Sequence, residues 1–516
     1  MVRKLRDPIH DYIQLHEKAW GVIDTPHFQR LREIKQLGTS YYVWPTASHN
    51  RFEHCLGVAF LARRMTEHLA NGQPELGITD REIECVELAG LCHDLGHGPW
   101  SHVWDSQFIP RALKGKKWQH EDASEMMFDD MLARYKDKIK LSERDAKFIK
   151  ALIAGDSTRV RDEKSFLFDI VANKRNGLDV DKLDYIARDS WAIGDSVGGL
   201  SLSRIIDSAR VIDDQICYDI KDANQIYELC HTRFSLHKRI YNHKTAKAVE
   251  HMIIDAMLAA EPTLKIAEQI DDPKKYLHLT DCIMNIIEQS TDPALEDSRR
   301  IFARIKERDL YRCVDYHVFD WDHFEWLEKE ITAEAIVAEA QNLGSSGLAK
   351  ASQEVAQVGD DAEDEVPIVD GGEEEIDPEA LSQLKPSDVA VAFSKLHHGM
   401  STLNPLDFTK FYSKRHPNVC RTAGREHVSC VVPVIMGEVL LRVYTKEYRF
   451  YGIIQAAYRL LKKRLCKKYL PDWEPAAAGT SLEPETEPDL SQPTTEGPPA
   501  TPPQRKRTLS RVVSNR

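Results

Sequence analysis

The residues best suited to chemistry fall on helical periods. Thr79 and Glu82 form a capping-box pattern opening a helix whose apolar stripe runs through Ile83, Val86 and Gly90. The next position on that stripe is His93, followed at once by Asp94 and one turn later by His97. A single imidazole on such a stripe is usually a core histidine bonded to a carbonyl. Here His54 lies on a second stripe with Val58, Leu61 and Met65, and an aspartate-rich segment, GLDVDKLDYIARD, comes later. Two imidazoles and two carboxylates from three helices make a mixed nitrogen and oxygen donor set, suited to iron, manganese, zinc or magnesium.

The neighbours of these residues suit a polyanion. Arg51 lies one turn before His54, where a guanidinium could neutralise phosphate oxygens. Asp181, Tyr185 and Asp189 fall at i, i+4 and i+8 with Lys182 beside the first, and Arg233, His237, Tyr241 and Lys244 share another stripe. Either row alone fits a solvated polar face. The weakness of that reading is that aromatic rings sit within both polar rows.

The elements that must position these groups are helical. Asn50 and Glu53 cap the helix that carries His54, and Gly72 follows its end. Gly96, Gly98 and Pro99 stop the helix that carries His93. Helical periodicity dominates from Thr25 to about Glu330, with a short hairpin predicted over Val211 to Ile220 turning at Asp213 and Asp214. The expected fold is mostly α, with a helical catalytic core and N-terminal arm over 1–334. An acidic low-complexity linker or insertion is expected over 335–385. A small mixed α/β lobe over 386–473 then includes strand-like VSCVVPVI and VLLRVY and a helix from Tyr451 to Leu465, and a disordered tail with a basic end covers 474–516.

The pattern of His54, His93-Asp94 and Asp181, inside the strings SHNRFEH, LCHDLGHGPWSH and NKRNGLDVDKLDYIARD, resembles the HD-domain metal-dependent phosphohydrolases. Within them it is similar to the SAM-and-HD-domain deoxynucleoside triphosphate triphosphohydrolase family, from about Asp7 to Glu261 and weakly again at LLRVYTK near Arg442. The chain departs from that family in beginning at the catalytic domain, with no room for a SAM domain. The resemblance implies that His54, His93, Asp94 and Asp181 hold a divalent metal. It further implies that Arg51, Lys182 and Arg233 grip the triphosphate, with magnesium on the nucleotide phosphates, and that His97, His102, Asp105 and His120 line the reacting phosphate. Gln36, Leu37, Tyr185, Asp189 and Tyr241 match positions that hold the sugar, with Tyr241 packed where a 2′-hydroxyl would clash. Asn242 stands where the family has glutamine. The implied reaction is attack of water on the α-phosphorus, releasing deoxynucleoside and inorganic triphosphate. The leaving 5′-oxygen needs a proton: His102 with Asp105 is the first candidate, His120 the second.

The family is controlled by guanine nucleotide and deoxynucleotide activators that drive assembly of a homotetramer. Asp24, Gln29 and Arg32 match the guanine-reading positions, with Arg3 and Lys4 on the N-terminal arm. In the second activator site Arg210, Lys221, His243 and Lys244 match, whereas Arg6, Asp219 and Gln225 replace an asparagine, an arginine and an asparagine. The expected compensation for Asp219 is a cation from Arg6.

Charge and cysteine content bound the alternatives. Net charge is −13, but 11 acidic residues lie between Asp360 and Glu379, and removing them leaves −2 for the rest. A near-neutral body argues against a protein that works by single-stranded nucleic-acid binding, leaving at most a weak interaction of that kind. A further alternative is an HD phosphohydrolase acting on another nucleotide, such as a monophosphate or cyclic nucleotide, which the Tyr241 and Asp189 rows argue against. The 10 cysteines, with no Cys-x-x-Cys pair, fit a reduced nuclear or cytoplasmic compartment. Neither a signal peptide nor a membrane span is read, so no membrane partner is expected.

Overall fold

The computed structural model describes residues 3–195, 200–356, 377–429 and 431–470. Two hydrophobic cores organise them. The larger is helical and is built on the paired helices Arg51–Gly72 and Asp80–Cys92, both opened by the capping boxes read from the sequence. Gly90 sets their spacing: a methyl group there would stand 3.1 Å from both Ala62 Cβ and Val58 O. The helices Val180–Ala192, Ala223–Leu236 and Lys244–Leu264 complete the frame around the candidate site. An antiparallel hairpin, Lys4–Asp7 with Asp11–Gln14, precedes it.

The predicted second hairpin forms from Arg210–Ile212 and Gln215–Asp219. Asp213 and Asp214 turn it with φ of 51° and 56°, the left-handed pair that matches strand twist in a two-residue loop. Strand Lys410–Ser413 adds to it in parallel.

The smaller core is a three-stranded antiparallel sheet with Gly437–Thr445 between Arg312–Asp320 and Val389–His397, covered by Tyr451–Tyr469. Here the structure corrects two expectations. The stretch predicted as linker from 335 begins instead as helix Ala333–Ala356, broken at Gly344, and Ile336, Val337, Ala340 and Leu348 enter the smaller core. That core also takes Val314 and Phe319, so the lobe draws on strand Arg312–Asp320, well before 386. Small residues hid the pattern: alanine and glycine lower the apparent apolarity while the few large apolar side chains keep a helical spacing. The second correction concerns VSCVVPVI. Its described residues form no strand, Val431 and Val434 being 85% and 98% exposed, and Pro433 cannot donate to a ladder. Most of the acidic run, at 357–376, and the basic tail lie outside the described residues.

Candidate active site

Three segment ends converge. The first turn of helix Arg51–Gly72 buries Arg51 and His54. Helix Asp80–Cys92 ends on His93, so His93 and Asp94 stand at the tight turn leading to Pro99. Asp179 accepts from Lys182 N and caps helix Val180–Ala192, which places Asp181 in its first turn.

His54 Nε2 lies 3.0 Å from Asp181 Oδ1 and 3.7 Å from Asp94 Oδ2. His93 Nε2 lies 3.4 Å from Asp94 Oδ1 and 3.5 Å from Asp181 Oδ1. The opposite ring nitrogens are engaged: His54 Nδ1 donates to Asp184 Oδ2 at 2.8 Å and His93 Nδ1 to Gly90 O at 2.8 Å. Carbonyl and carboxylate oxygens only accept, so both Nδ1 atoms carry protons and both Nε2 atoms are turned to Asp94 and Asp181. Among the described residues His93 Nε2 makes no hydrogen bond of ordinary geometry, its carboxylate neighbours being Asp94 and Asp181. Burial opposes a charge on His54, but Asp181 and Asp184 outweigh it and push its pKa up to about 10. The centre thus seeks positive charge, and its two imidazoles and two carboxylates fit a divalent cation with mixed ligands.

Asp94 joins this centre to a second cluster. Its Oδ1 is 3.3 Å from His97 Nε2, while Arg51 holds Oδ2 and also donates to Ser101 Oγ at 2.8 Å. Burial would raise the pKa of Asp94, yet Arg51, His93 and His97 hold it well below the carboxylate range. Ligand-type atoms of His97, His102, Asp105 and His120 lie within 4.8 Å of one another. The rings of His97 and His120 stack with centroids 3.9 Å apart. The expected His102–Asp105 pair is present but loose, and a tighter one joins Asp105 to His120. Asp105 Oδ2 bonds His120 Nδ1 at 2.6 Å and stands 3.8 Å from His102, whose side chain is 70% exposed. Burial lowers the His120 pKa, but the Asp105 carboxylate prevails and raises it. His97 goes the other way: burial, Arg51 and His120 keep it neutral.

The remaining site residues divide. Tyr241 Oη donates to Asp189 Oδ2 at 2.6 Å, and His49 Nε2 donates to Asp189 Oδ1 at 2.8 Å. The half-buried Tyr185 lies on the same helix, and Gln36 presents a buried Oε1 without a partner beside Leu37. Lys182 and Arg233 line one recess, Lys182 Nζ bonded to Asp179 at 2.9 Å and Arg233 Nη1 donating to His397 O at 2.6 Å. Three placements differ from expectation. Arg51 is buried against Asp94 and Ser101 and is not a free phosphate ligand. Asn242 turns to the smaller lobe, its Oδ1 accepting from Ser394 Oγ at 2.7 Å and its Nδ2 donating to His237 O at 2.8 Å. Lys244 leaves the predicted row because a π turn, His237–Tyr241, ends that helix and Lys244 opens the next.

Comparison with known proteins supplies the family. The HD domain matches residues 51–189 and an HD associated region matches 200–401. The human protein named deoxynucleoside triphosphate triphosphohydrolase SAMHD1 is 38% identical over 484 residues, covering 86% of this chain and 71% of the relative. The Bos taurus protein of that name is 37% identical, covering 86% and 75%, and a homologue from Dictyostelium discoideum is 36% identical, covering 89% and 80%. The chain belongs to the SAMHD1 family. The HD match begins at Arg51 and ends at Asp189, so it brackets both histidine clusters and the aspartate that Tyr241 meets.

The residues read above as activator-site candidates make local contacts of their own. Arg3 pairs with Asp24 at 2.5 and 3.0 Å and lies over the Trp20 ring, while Arg32 Nε donates to Gln29 Oε1 at 2.9 Å and Gln29 Nε2 donates to Ile23 O at 2.8 Å. Lys4 follows Arg3 on the hairpin. In the second set, Arg210 Nη2 donates to Asn418 Oδ1 at 3.0 Å and His243 caps the helix opened by Lys244, its ring against Trp44. Among the described residues no hydrogen bond or ion pair joins Arg6 to Asp219. Arg6 pairs with Asp11 at 3.4 Å on its own hairpin, and Asp219 accepts from Lys221 N at 3.1 Å. The expected charge exchange is not made within one chain.

Sequence reasoning missed His49, Asp179, Asp184 and Ser101, which touch the predicted residues. His49 stands in SHNRFEH, and Asp179 and Asp184 stand in the aspartate-rich string. Only the tertiary packing of these strings distinguishes them from their neighbours.

Proposed function

We propose that this chain hydrolyses deoxynucleoside triphosphates to deoxynucleoside and inorganic triphosphate, with His54, His93, Asp94 and Asp181 as its metal ligands. The observation that carries the reading is the joining of that donor set, through Asp94, to the His97–His120 stack. When bound, a divalent cation supplies charge neutralisation at the phosphoryl oxygens and lowers the pKa of water. Lys182 and Arg233 receive the triphosphate. Asp189, oriented by His49 and Tyr241, accepts from a sugar hydroxyl, and the Tyr241 ring excludes a 2′-hydroxyl.

His120, whose pKa Asp105 raises, favours the cationic form beside the reacting phosphate. Neutral His97 aligns it by stacking. The exposed ring of His102 has the freedom to meet the departing 5′-oxygen and donates the proton, as alkoxide departure requires. The α-phosphorus to 5′-oxygen bond breaks, water oxygen joins phosphorus, and the proton that the water loses passes to bulk solvent.

GTP at Arg3, Lys4, Asp24, Gln29 and Arg32, and a deoxynucleotide near Arg210, Lys221, His243 and Lys244, promote a homotetramer in this reading. The described cysteines are free thiols and no described helix is long and apolar enough to cross a membrane. The reading places the chain in the nucleus or cytoplasm.

His93→Ala and Asp94→Ala test the assignment. Each should abolish dNTP hydrolysis and bound metal while the helical circular dichroism is kept. Near wild-type turnover in either variant, with metal still bound, contradicts it.

A further inference from the structure

The N-terminal hairpin reaches the metal-ligand candidate His54 through buried charges. Asp184, at 0% exposure, accepts from three side chains. His54 Nδ1 lies at 2.8 Å, His10 Nε2 at 2.6 Å, and Arg188 Nε and Nη2 at 2.8 and 2.9 Å. Arg188, itself 2% exposed, extends Nη1 to Asp7 Oδ2 at 2.8 Å. Asp7 Oδ1 in turn accepts from Ile9 N and His10 N, both at 2.9 Å, which closes the circuit on His10. Asp7 ends the first strand of the hairpin and His10 precedes the second. The His10 ring is held on Phe60, centroids 5.3 Å apart, on the helix that carries His54.

The direction of each bond follows from chemistry. Asp184 is a carboxylate with its oxygens shared among four N–H donors, so it has no hydrogen to return, and both His54 Nδ1 and His10 Nε2 must donate. Were Asp184 free to rotate, the His54 ring could bond through either nitrogen. Arg188 and His10 remove that freedom from Asp184, and Asp7 removes it from Arg188. None of Asp7, His10 or Arg188 touches Asp94, Asp181 or His93 in the bonds described.

We propose that the N-terminal hairpin is a positioning element of the metal centre: Asp7 and His10, acting through Arg188 and Asp184, hold His54 in the Nδ1–H tautomer and keep Nε2 aimed at the cation. This rests on His54 being a ligand. Outer partners of ligating histidines change metal affinity by about 10- to 100-fold when removed. His10 stands one bond further out and Asp7 two, which points to the lower end, about 10-fold.

The test uses the full chain with Asp7→Asn, His10→Phe and His54→Ala, measuring Mn²⁺ affinity by chelator competition, thermal unfolding, and kcat and KM at limiting and saturating Mn²⁺. Asp7→Asn and His10→Phe should weaken Mn²⁺ binding about 10-fold. Their kcat should recover toward wild type at saturating Mn²⁺ with KM for the nucleotide unchanged. If His10→Phe does not fold, the near-isosteric Asp7→Asn decides alone. A folded Asp7→Asn with wild-type Mn²⁺ affinity, whether or not its Tm falls, overturns the proposal and leaves the hairpin a purely structural clasp. His54→Ala separates the two levels: wild-type Mn²⁺ binding there sinks the ligand reading itself, whereas lost binding there with unaltered hairpin variants sinks only the positioning role.

Discussion

Gly96 sits between the two histidine clusters, and replacing it with alanine should separate them. A β-carbon on Gly96 would stand 2.1 Å from His120 O, 2.2 Å from Ser124 N and 2.6 Å from Ala123 C. All three are backbone atoms at the start of helix His120–Arg134, so no side chain can swing aside. The turn and the helix must part by roughly 1 Å to restore ordinary contact. Such overpacking costs about 1–3 kcal/mol. The same movement strains the bonds from Gly96 N to Ser124 Oγ at 2.8 Å and from Ser124 Oγ to His93 O at 2.7 Å. At about 1 kcal/mol each these bring the total to about 3–5 kcal/mol. Over 516 residues the unfolding entropy is about 1 kcal/mol/K, so Tm should then fall by about 3–5 °C. The stack of His97 on His120 opens with the parting, and a misplacement of that size lowers kcat/KM about 100-fold. Calorimetry of Gly96→Ala with steady-state hydrolysis of dGTP measures both. A Tm within about 2 °C of wild type, or unimpaired turnover, refutes the idea that Gly96 is present for this close approach.

Tyr241→Ala should admit GTP as a substrate while lowering dGTP turnover, because it removes both the ring and the donor to Asp189; competition between GTP and dGTP at the active site measures it. Asp105→Asn should alter the pH dependence of stability: Asp105 raises the His120 pKa, so the pair stabilises the fold below the unfolded histidine value near ~6.5 and that gain fades as pH rises through the raised value. Because the Asp105 pKa is itself lowered, the gain also fades as pH drops below about 4, so the Tm difference between wild type and variant should peak near pH 5–6 and shrink by pH 9. Asp24→Ala should lose activation by GTP in sedimentation and turnover assays while retaining bound metal, since Asp24 pairs with Arg3 and not with the His54 centre.

Much of the site is legible in the chain because its ligands are local to caps. Asn50–Glu53 and Thr79–Glu82 each fix a helix register, and register fixes where His54 and His93 point. Asp181 follows likewise from the Asp179 cap. Partners from distant segments are another matter. The tighter bond of Asp105 to His120 than to His102 is set on a π turn, Trp104–Phe108, that no periodicity reveals. Arg51 has the right position for a phosphate ligand, but Ser101, brought beside it by residues with positive φ at Trp100 and Ser101, helps hold its guanidinium on Asp94. The helix Ala333–Ala356 escaped notice for a compositional reason, since alanine and glycine pack a face without advertising it.

The central claim is cleavage between the α-phosphorus and the 5′-oxygen, and product analysis tests it most directly. Purified full chain is incubated with dGTP, Mn²⁺ or Mg²⁺, and GTP, and the products are separated by chromatography. Deoxyguanosine and inorganic triphosphate in equal amounts, with neither dGMP nor pyrophosphate, are the predicted products. Deoxyguanosine monophosphate with pyrophosphate as the primary products contradicts the account.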